Sequence, residues 1–327
     1  MLAPQYEAGG PGSLFRFGVE SKVLWPEFGL RLETLTDWPM GYRTDGMLVA
    51  NRTPKEEEAA RGDLAWQREA GLPGEILAPE EARSLHGGVS LAFPSYVWLP
   101  GEALVDVQRL AVALADAVRG AGGRVEAGQP VSGILSEGGR VVGAALEGGS
   151  RLAADRVVLA AGVWSSLVSD LPRDLPVAPI RGQMLRLLPE EPPPWPLLTD
   201  HQGRYLVPRE NGTLLVGSTM EEVGYDESVT EEGRAVLSEA AVSLFPALEG
   251  ARLVERWAGL RPMTPDAWPL MGPEPELEGL FYAAGYGRNG ILFAPLAARA
   301  VADLVMDGYS EVEWEPFSVT RFEAGQG

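Results

Sequence analysis

The 327-residue sequence has no cysteine and only two histidines, His86 and His201. Without thiols there is no disulfide, no thiolate metal site and no cysteine nucleophile. Two imidazoles are too few for a histidine-rich metal centre. Basic residues are scarce as well: 27 Lys and Arg face 46 Asp and Glu, a formal charge of -19. That field repels phosphate backbones and anionic head groups, so nucleic acid and membrane surfaces are poor partners. No apolar run approaches the length that spans a bilayer, and the opening MLAPQYEAGGPG lacks the basic-then-apolar order of a signal peptide. The expected location is the cytoplasm.

What is present reads as an ordered α/β protein. Its 40 Gly and 27 Pro fall between periodic apolar segments and form no low-complexity block. The length suits two packed lobes better than one core. Helical spacing over residues 12–36, with a break expected at Pro26, and a strand over Gly46–Ala50 open the chain. A charged, solvated helix follows from Pro54 to Gly71. Ala103–Gly120 repeats Leu104, Val107, Leu110, Ala111, Leu114 and Val118 at helical intervals and ends in AGG, where glycine can form a left-handed cap. Between residues 124 and 162, short apolar runs separated by glycines predict a small β-meander that closes on a buried strand. VAPIRGQMLRLL, GRYLVPRE and GTLLVGSTM predict a second sheet interrupted by the proline-rich linker Pro189–Pro196. A helix at Glu231–Leu244, strands at Leu253–Leu260 and Leu280–Ala284, and a helix at Leu292–Met306 complete the chain.

Three segments carry possible chemistry. In GLFYAAGYGRNGILFAPLAARAVADLV, residues 279–305, a strand passes through Gly285, Gly287 and Gly290 into a helix. Such a turn offers backbone N–H groups at a positive helix end to an electron-rich ligand edge, or serves only as a connection. In WAGLRPMTPDAWPLMG, Arg261 follows an apolar strand and Pro262 fixes the chain beyond it. An arginine so held grips a carboxylate through two parallel hydrogen bonds, or pairs with a structural Asp or Glu. The strand from Arg156 to Gly162 runs into AGVWSS, which suits close approach to a ligand or a plain tight turn.

The order MLAPQ, DRVVLAAGVWSS, YLVPRENGTLLVGSTM, WAGLRPMTPD and AAGYGRNGILFAP resembles the D-amino-acid oxidase superfamily of FAD-dependent oxidoreductases. The opening MLAP and the GRNGILFAP segment resemble more narrowly the glycine oxidases of the thiamine pathway. The resemblance implies an FAD-binding lobe (residues 1–40, 101–170 and 253–327) and a substrate lobe with a large mixed sheet (41–100 and 171–252). It implies non-covalent FAD, and oxidation of a small amino acid by oxygen to an oxo acid, ammonia and hydrogen peroxide. Arg261 would bind the substrate carboxylate, with Tyr205 and Arg288 assisting. Met220 would be a pocket wall, although ordinary core at a strand end reads equally well. Met1, Val131, Gly162 and the run Tyr286, Gly287, Arg288, Asn289, Gly290, Ile291 and Leu292 would contact FAD. No protein base is required, because hydride transfer to the flavin leaves an imine that water hydrolyses. Self-association is also implied.

Two departures from the family pattern stand out. Its opening strand, GxGxxG turn and helix, with an acidic residue for the ribose, do not occur here. The difference is roughly 45 residues, one βαβ start and its linker. AGGPGS at residues 8–13 is no substitute, since no strand precedes it. Met1 matches an internal family methionine, so the expectation is a start codon assigned too far downstream. Two positions before Tyr205, where the family is often polar, stands Gly203, with His201 displaced two places earlier. Glycine, sarcosine and small D-amino acids therefore stay open as substrates. The alternative readings are an FAD amine dehydrogenase that passes electrons to a carrier, and a non-catalytic remnant that does not hold FAD.

Overall fold

The computed structural model describes residues 1–191 and 196–325, so the expected linker Pro189–Pro196 lies partly outside the described residues. The helices are α1 (Pro4–Glu7), α2 (Ser13–Thr36), α3 (Pro54–Glu69), α4 (Pro79–Leu85), α5 (Val107–Gly120), α6 (Glu231–Leu244) and α7 (Gly290–Asp307). The first strands are β1 (Met47–Asn51), β2 (Glu75–Leu77), β3 (Ser95–Leu99), β4 (Val131–Glu137), β5 (Arg140–Leu146), β6 (Arg151–Ala153) and β7 (Val157–Leu159). The others are β8 (Ala178–Leu188), β9 (Leu197–Asp200), β10 (Tyr205–Pro208), β11 (Leu214–Gly217), β12 (Arg252–Met263), β13 (Leu270–Pro273) and β14 (Leu280–Ala284). They divide into two compact units, each assembled from three stretches of chain. One comprises Met1–Pro11, Arg43–Leu104 and Ile180–Leu260, the other Gly12–Tyr42, Val105–Pro179 and Arg261–Gly327.

The first unit is built on an eight-stranded mixed sheet in the order β12-β8-β11-β10-β9-β1-β3-β2. β1 pairs in parallel with β9 and antiparallel with β3, while β9, β10, β11 and β8 pair antiparallel in turn. Alternation along the strands gives it two apolar faces. Leu48, Ala50, Leu198, Leu206 and Val216 point to one face, where α6 brings Leu237, Ala241 and Leu244. Met47, Val49, Leu197 and Val207 point to the other, with Ala60 and Leu64 of α3 against them. The charged helix expected at Pro54–Gly71 is α3, and it carries a capping box: Thr53 accepts from the Glu56 N–H while Glu56 reaches back. Strands β2, β3 and β9 had no counterpart in the sequence reading.

In the second unit β13, β14 and β7 form one small sheet and β4, β5 and β6 another. The expected meander is therefore β4–β6, but β7 leaves it to pair in parallel with β14. β7 is also less buried than expected, with Val158 41% exposed. The helix expected from Ala103 starts at Val107 instead. Asp106 caps it by accepting from the N–H groups of Gln108 and Arg109, which fixes the start downstream of Ala103 and Leu104. At its other end the expected glycine cap is present: Gly122 is left-handed (φ 85°), and the Gly122 and Gly123 N–H groups donate to the carbonyls of Arg119 and Val118. No break occurs at Pro26 either: α2 is continuous from Ser13 to Thr36. The side chains of Phe15, Phe17, Ser21, Trp25 and Leu32 are buried along it, and that packing offsets the roughly 3 kcal/mol cost of an interior proline.

A second interior proline explains how α2 and α7 lock together. In α7 the turn around Pro295 leaves the Leu292 carbonyl to accept from Ser21 Oγ at 2.8 Å and Trp25 Nε1 at 3.1 Å. The Leu296 N–H in turn donates to Ser21 Oγ at 3.3 Å. Ser21 and Trp25 are fully buried, so these bonds are shielded from water. This joint fixes the first turns of α7, at whose N-terminus the candidate site lies.

Candidate active-site residues

In the second unit, the parallel register pairs Leu280, Phe281 and Tyr282 with Val157, Val158 and Leu159. Both strands thus end at the same edge, where the chain turns through Gly162 (φ 56°) and Gly285 (φ 68°). The carboxyl edge of parallel strands is where open α/β sheets bind ligands. Beyond β14 the loop Tyr286–Asn289 is stitched to the end of β12. The Gly287 N–H donates to the Pro262 carbonyl at 2.9 Å, and Tyr286 and Met263 form an antiparallel bridge. The glycines make this approach possible: a Cβ on Gly285 would lie 2.6 Å from Thr264 Cγ2, and one on Gly287 would lie 2.7 Å from Met263 Sδ.

Arg261 immediately precedes that stitched segment and is half-buried, so the structure brings the Arg261–Met263 backbone and the Tyr286–Leu292 loop together. Arg288 lies exposed in the same loop. The loop delivers the chain into α7, whose N-cap residue Asn289 makes no side-chain cap bond. The first N–H groups of α7 thus have no side-chain cap at the positive end of an 18-residue helix. A largely apolar groove of about 490 Å³ borders it, sharing Tyr286 and Gly290 and lined further by Val158, Ala283, Ala294 and Ala297. Burial raises the Tyr286 phenol above its ordinary range, so it stays neutral. Val131, exposed at the start of β4, belongs to this unit but to the other small sheet.

In the first unit, Tyr205 opens β10 and its hydroxyl donates to Met184 Sδ at 3.3 Å. Met220 is 53% exposed, not core. The neighbouring backbone is anchored, because Arg181 and Glu221 exchange both backbone bonds. Burial opposes ionisation of Glu221, yet hydrogen bonds from Arg181, Thr219 and Gln183 hold its carboxyl below the usual range. His201 bonds Asn51 Oδ1 through Nε2 at 2.7 Å, and Gly203 sits in the tight turn before Tyr205 with φ 77°. Met1 packs on the apolar face shared by Ala3 and Val49. No group of His, Asp or Glu among the described residues is arranged to hold a metal ion, and no helix there is long and apolar enough to cross a membrane.

Sequence reasoning missed Met263 and Thr264, which seat the glycine loop, and Met184 and Gly217, which surround Tyr205. Only Gly217 left a signal, since glycine at the end of an apolar strand often marks a close approach.

Residues 1–304 match the DAO family, described as FAD dependent oxidoreductase. The chain is 32% identical to a glycine oxidase of Geobacillus kaustophilus, over 98% of its own length and 85% of that protein's. It is 34% identical to the bifunctional protein ThiO/ThiG of a Nostoc species, over 98% of its own length and 48% of that protein's. The crystal structure of glycine oxidase from Geobacillus kaustophilus superposes with a TM-score of 0.94 at 31% identity, covering 98% of this chain and 86% of the other.

Proposed function

The chain belongs to the DAO family of FAD dependent oxidoreductases, and from that premise we propose that it oxidises glycine or a similarly small amino acid. Glycine, oxygen and water would give glyoxylate, ammonia and hydrogen peroxide. The observation that carries this reading is the glycine loop Gly285–Gly290, seated on the strand end that bears Arg261 and leading into the uncapped start of α7. The likeness in name to glycine oxidases and to a ThiO/ThiG protein supports glycine as substrate and a place in thiamine synthesis.

FAD fits the residues present. Gly285 and Gly287 let the loop seat tightly on Thr264 and Met263, which presents the uncapped α7 N–H groups to an electron-rich ring edge. Tyr286 to Leu292 would hold the ring system, with Gly162, Val131 and Met1 making further contacts, as the family resemblance implies. Bound FAD supplies the two-electron acceptor that the side chains themselves lack.

Arg261 would hold the substrate carboxylate through paired N–H donors, which orient Cα, and the family resemblance implies an O–H donor from Tyr205. Arg288 adds positive charge and Met220 an apolar wall. No imidazole takes part: His86 is buried in the core of the first unit and His201 is bonded to Asn51. Water hydrolyses the resulting imine. The same proposal places the protein in the cytoplasm, allows self-association, and expects no nucleic-acid or anionic-membrane partner at a charge of -19.

The test is Arg261→Ala. Losing a charge-assisted contact of about 3 kcal/mol should raise KM for glycine roughly 100-fold while the flavin absorption spectrum stays unchanged. An unaltered KM contradicts the assignment.

A further inference from the structure

Tyr205 stands in a row of directly paired residues that crosses four strands: Thr199, Tyr205, Gly217 and Met184. Side chains in such a row share one face of the sheet. Two strand spacings, about 10 Å, separate the Tyr205 and Met184 backbones. The phenol bridges that gap by lying across Gly217. A Cβ at Gly217 would come within 2.4 Å of Tyr205 Cζ, 2.6 Å of its Cε2 and 2.5 Å of Met184 Sδ. The hydroxyl then ends on Met184 Sδ at 3.3 Å. A thioether is a weak acceptor. It can fix the direction of the O–H while yielding it to a carboxylate, which is a much stronger acceptor.

We propose that Gly217 and Met184 are positioning residues that hold the Tyr205 hydroxyl where the substrate carboxylate takes it up. Gly217 provides the bare backbone on which the ring rests. Met184 is the stop that sets the ring's reach and parks its hydroxyl in the absence of substrate. The inference rests on the reading above in which Tyr205 contacts substrate, and its own content is that this contact is set two strands away.

The experiment compares Tyr205→Phe, Gly217→Ala, Met184→Leu and the double variant Gly217→Ala/Tyr205→Phe in the full chain loaded with FAD. It reads kcat and KM for glycine, the calorimetric Kd of glycolate as a carboxylate that carries no amine, and Tm. Gly217→Ala should raise KM and Kd about tenfold, the size of one hydrogen bond to a charged group. Met184→Leu keeps the side-chain volume and should raise both about threefold with Tm unchanged, so it carries the test if Gly217→Ala fails to fold. Adding Gly217→Ala to Tyr205→Phe should raise KM no further, because no hydroxyl remains to misplace. If Tyr205→Phe raises KM while neither the Gly217 nor the Met184 variant does, or if Gly217→Ala acts equally in both backgrounds, the positioning role is overturned and the Tyr205 contact stands. If Tyr205→Phe leaves KM unaltered, the contact itself fails and the positioning role falls with it.

Discussion

His86 carries a cost of burial at a single residue. It is 2% exposed, its Nδ1 has no hydrogen-bond partner, and its ring lies 5.3 Å from that of Phe245. Desolvation lowers its pKa from 6.5 to about 4. The unfolded chain therefore binds this proton more readily than the folded one. Stability from this source is complete above pH 6.5 and is lost as pH falls toward 4, by about 3 kcal/mol in all. Denaturant unfolding at pH 7 and pH 4.5 should show that decline, and His86→Leu should remove this component of it. An equal decline in the variant would place the acid sensitivity elsewhere. Such residues are hard to read from a sequence, since an isolated histidine gives no sign of its surroundings. The Gly285–Gly290 turn was legible because its glycines mark the passage from β14 into α7, whereas Arg261, inside β12, stood out only through the family resemblance. The bond from Gly287 to Pro262 was not legible, because it joins segments distant in the chain.

Among the elements, long periodic segments declared themselves and their ends did not. α6 and β14 occur where periodicity put them, whereas α5 starts at an aspartate cap that outweighed the apolar residues before it. Pro26 suggested a break because a local rule was applied without the buried face that overrides it. β9 escaped notice because it is only four residues long, beside the proline-rich stretch. The joint between α2 and α7 gives this scale its prediction. Ser21→Ala leaves the Leu296 N–H without its side-chain acceptor and leaves the Leu292 carbonyl only the Trp25 donor outside α7. The expected loss is about 1–3 kcal/mol, read as a lower Tm. It should be accompanied by weaker FAD retention, since the joint supports the start of α7. An unchanged Tm would show that the joint adds nothing to stability.

At the scale of the whole molecule, the large mixed sheet and the FAD-type fold were legible through the ordered motifs, not through composition or periodicity. The parallel pairing of β7 with β14 illustrates why: it joins residues 157–159 to 280–282, a crossover that no local pattern encodes. The two interleaved units follow from the same crossovers, with the opening eleven residues falling in the first unit. The account's central claim is that this fold serves FAD-dependent oxidation of a small amino acid by oxygen. Its most direct test is oxygen uptake by the FAD-loaded chain on addition of glycine, with hydrogen peroxide and glyoxylate measured in the same sample. The account predicts uptake, with peroxide and glyoxylate formed in equal amounts. Protein that retains FAD yet consumes no oxygen with glycine, sarcosine or D-alanine would contradict it.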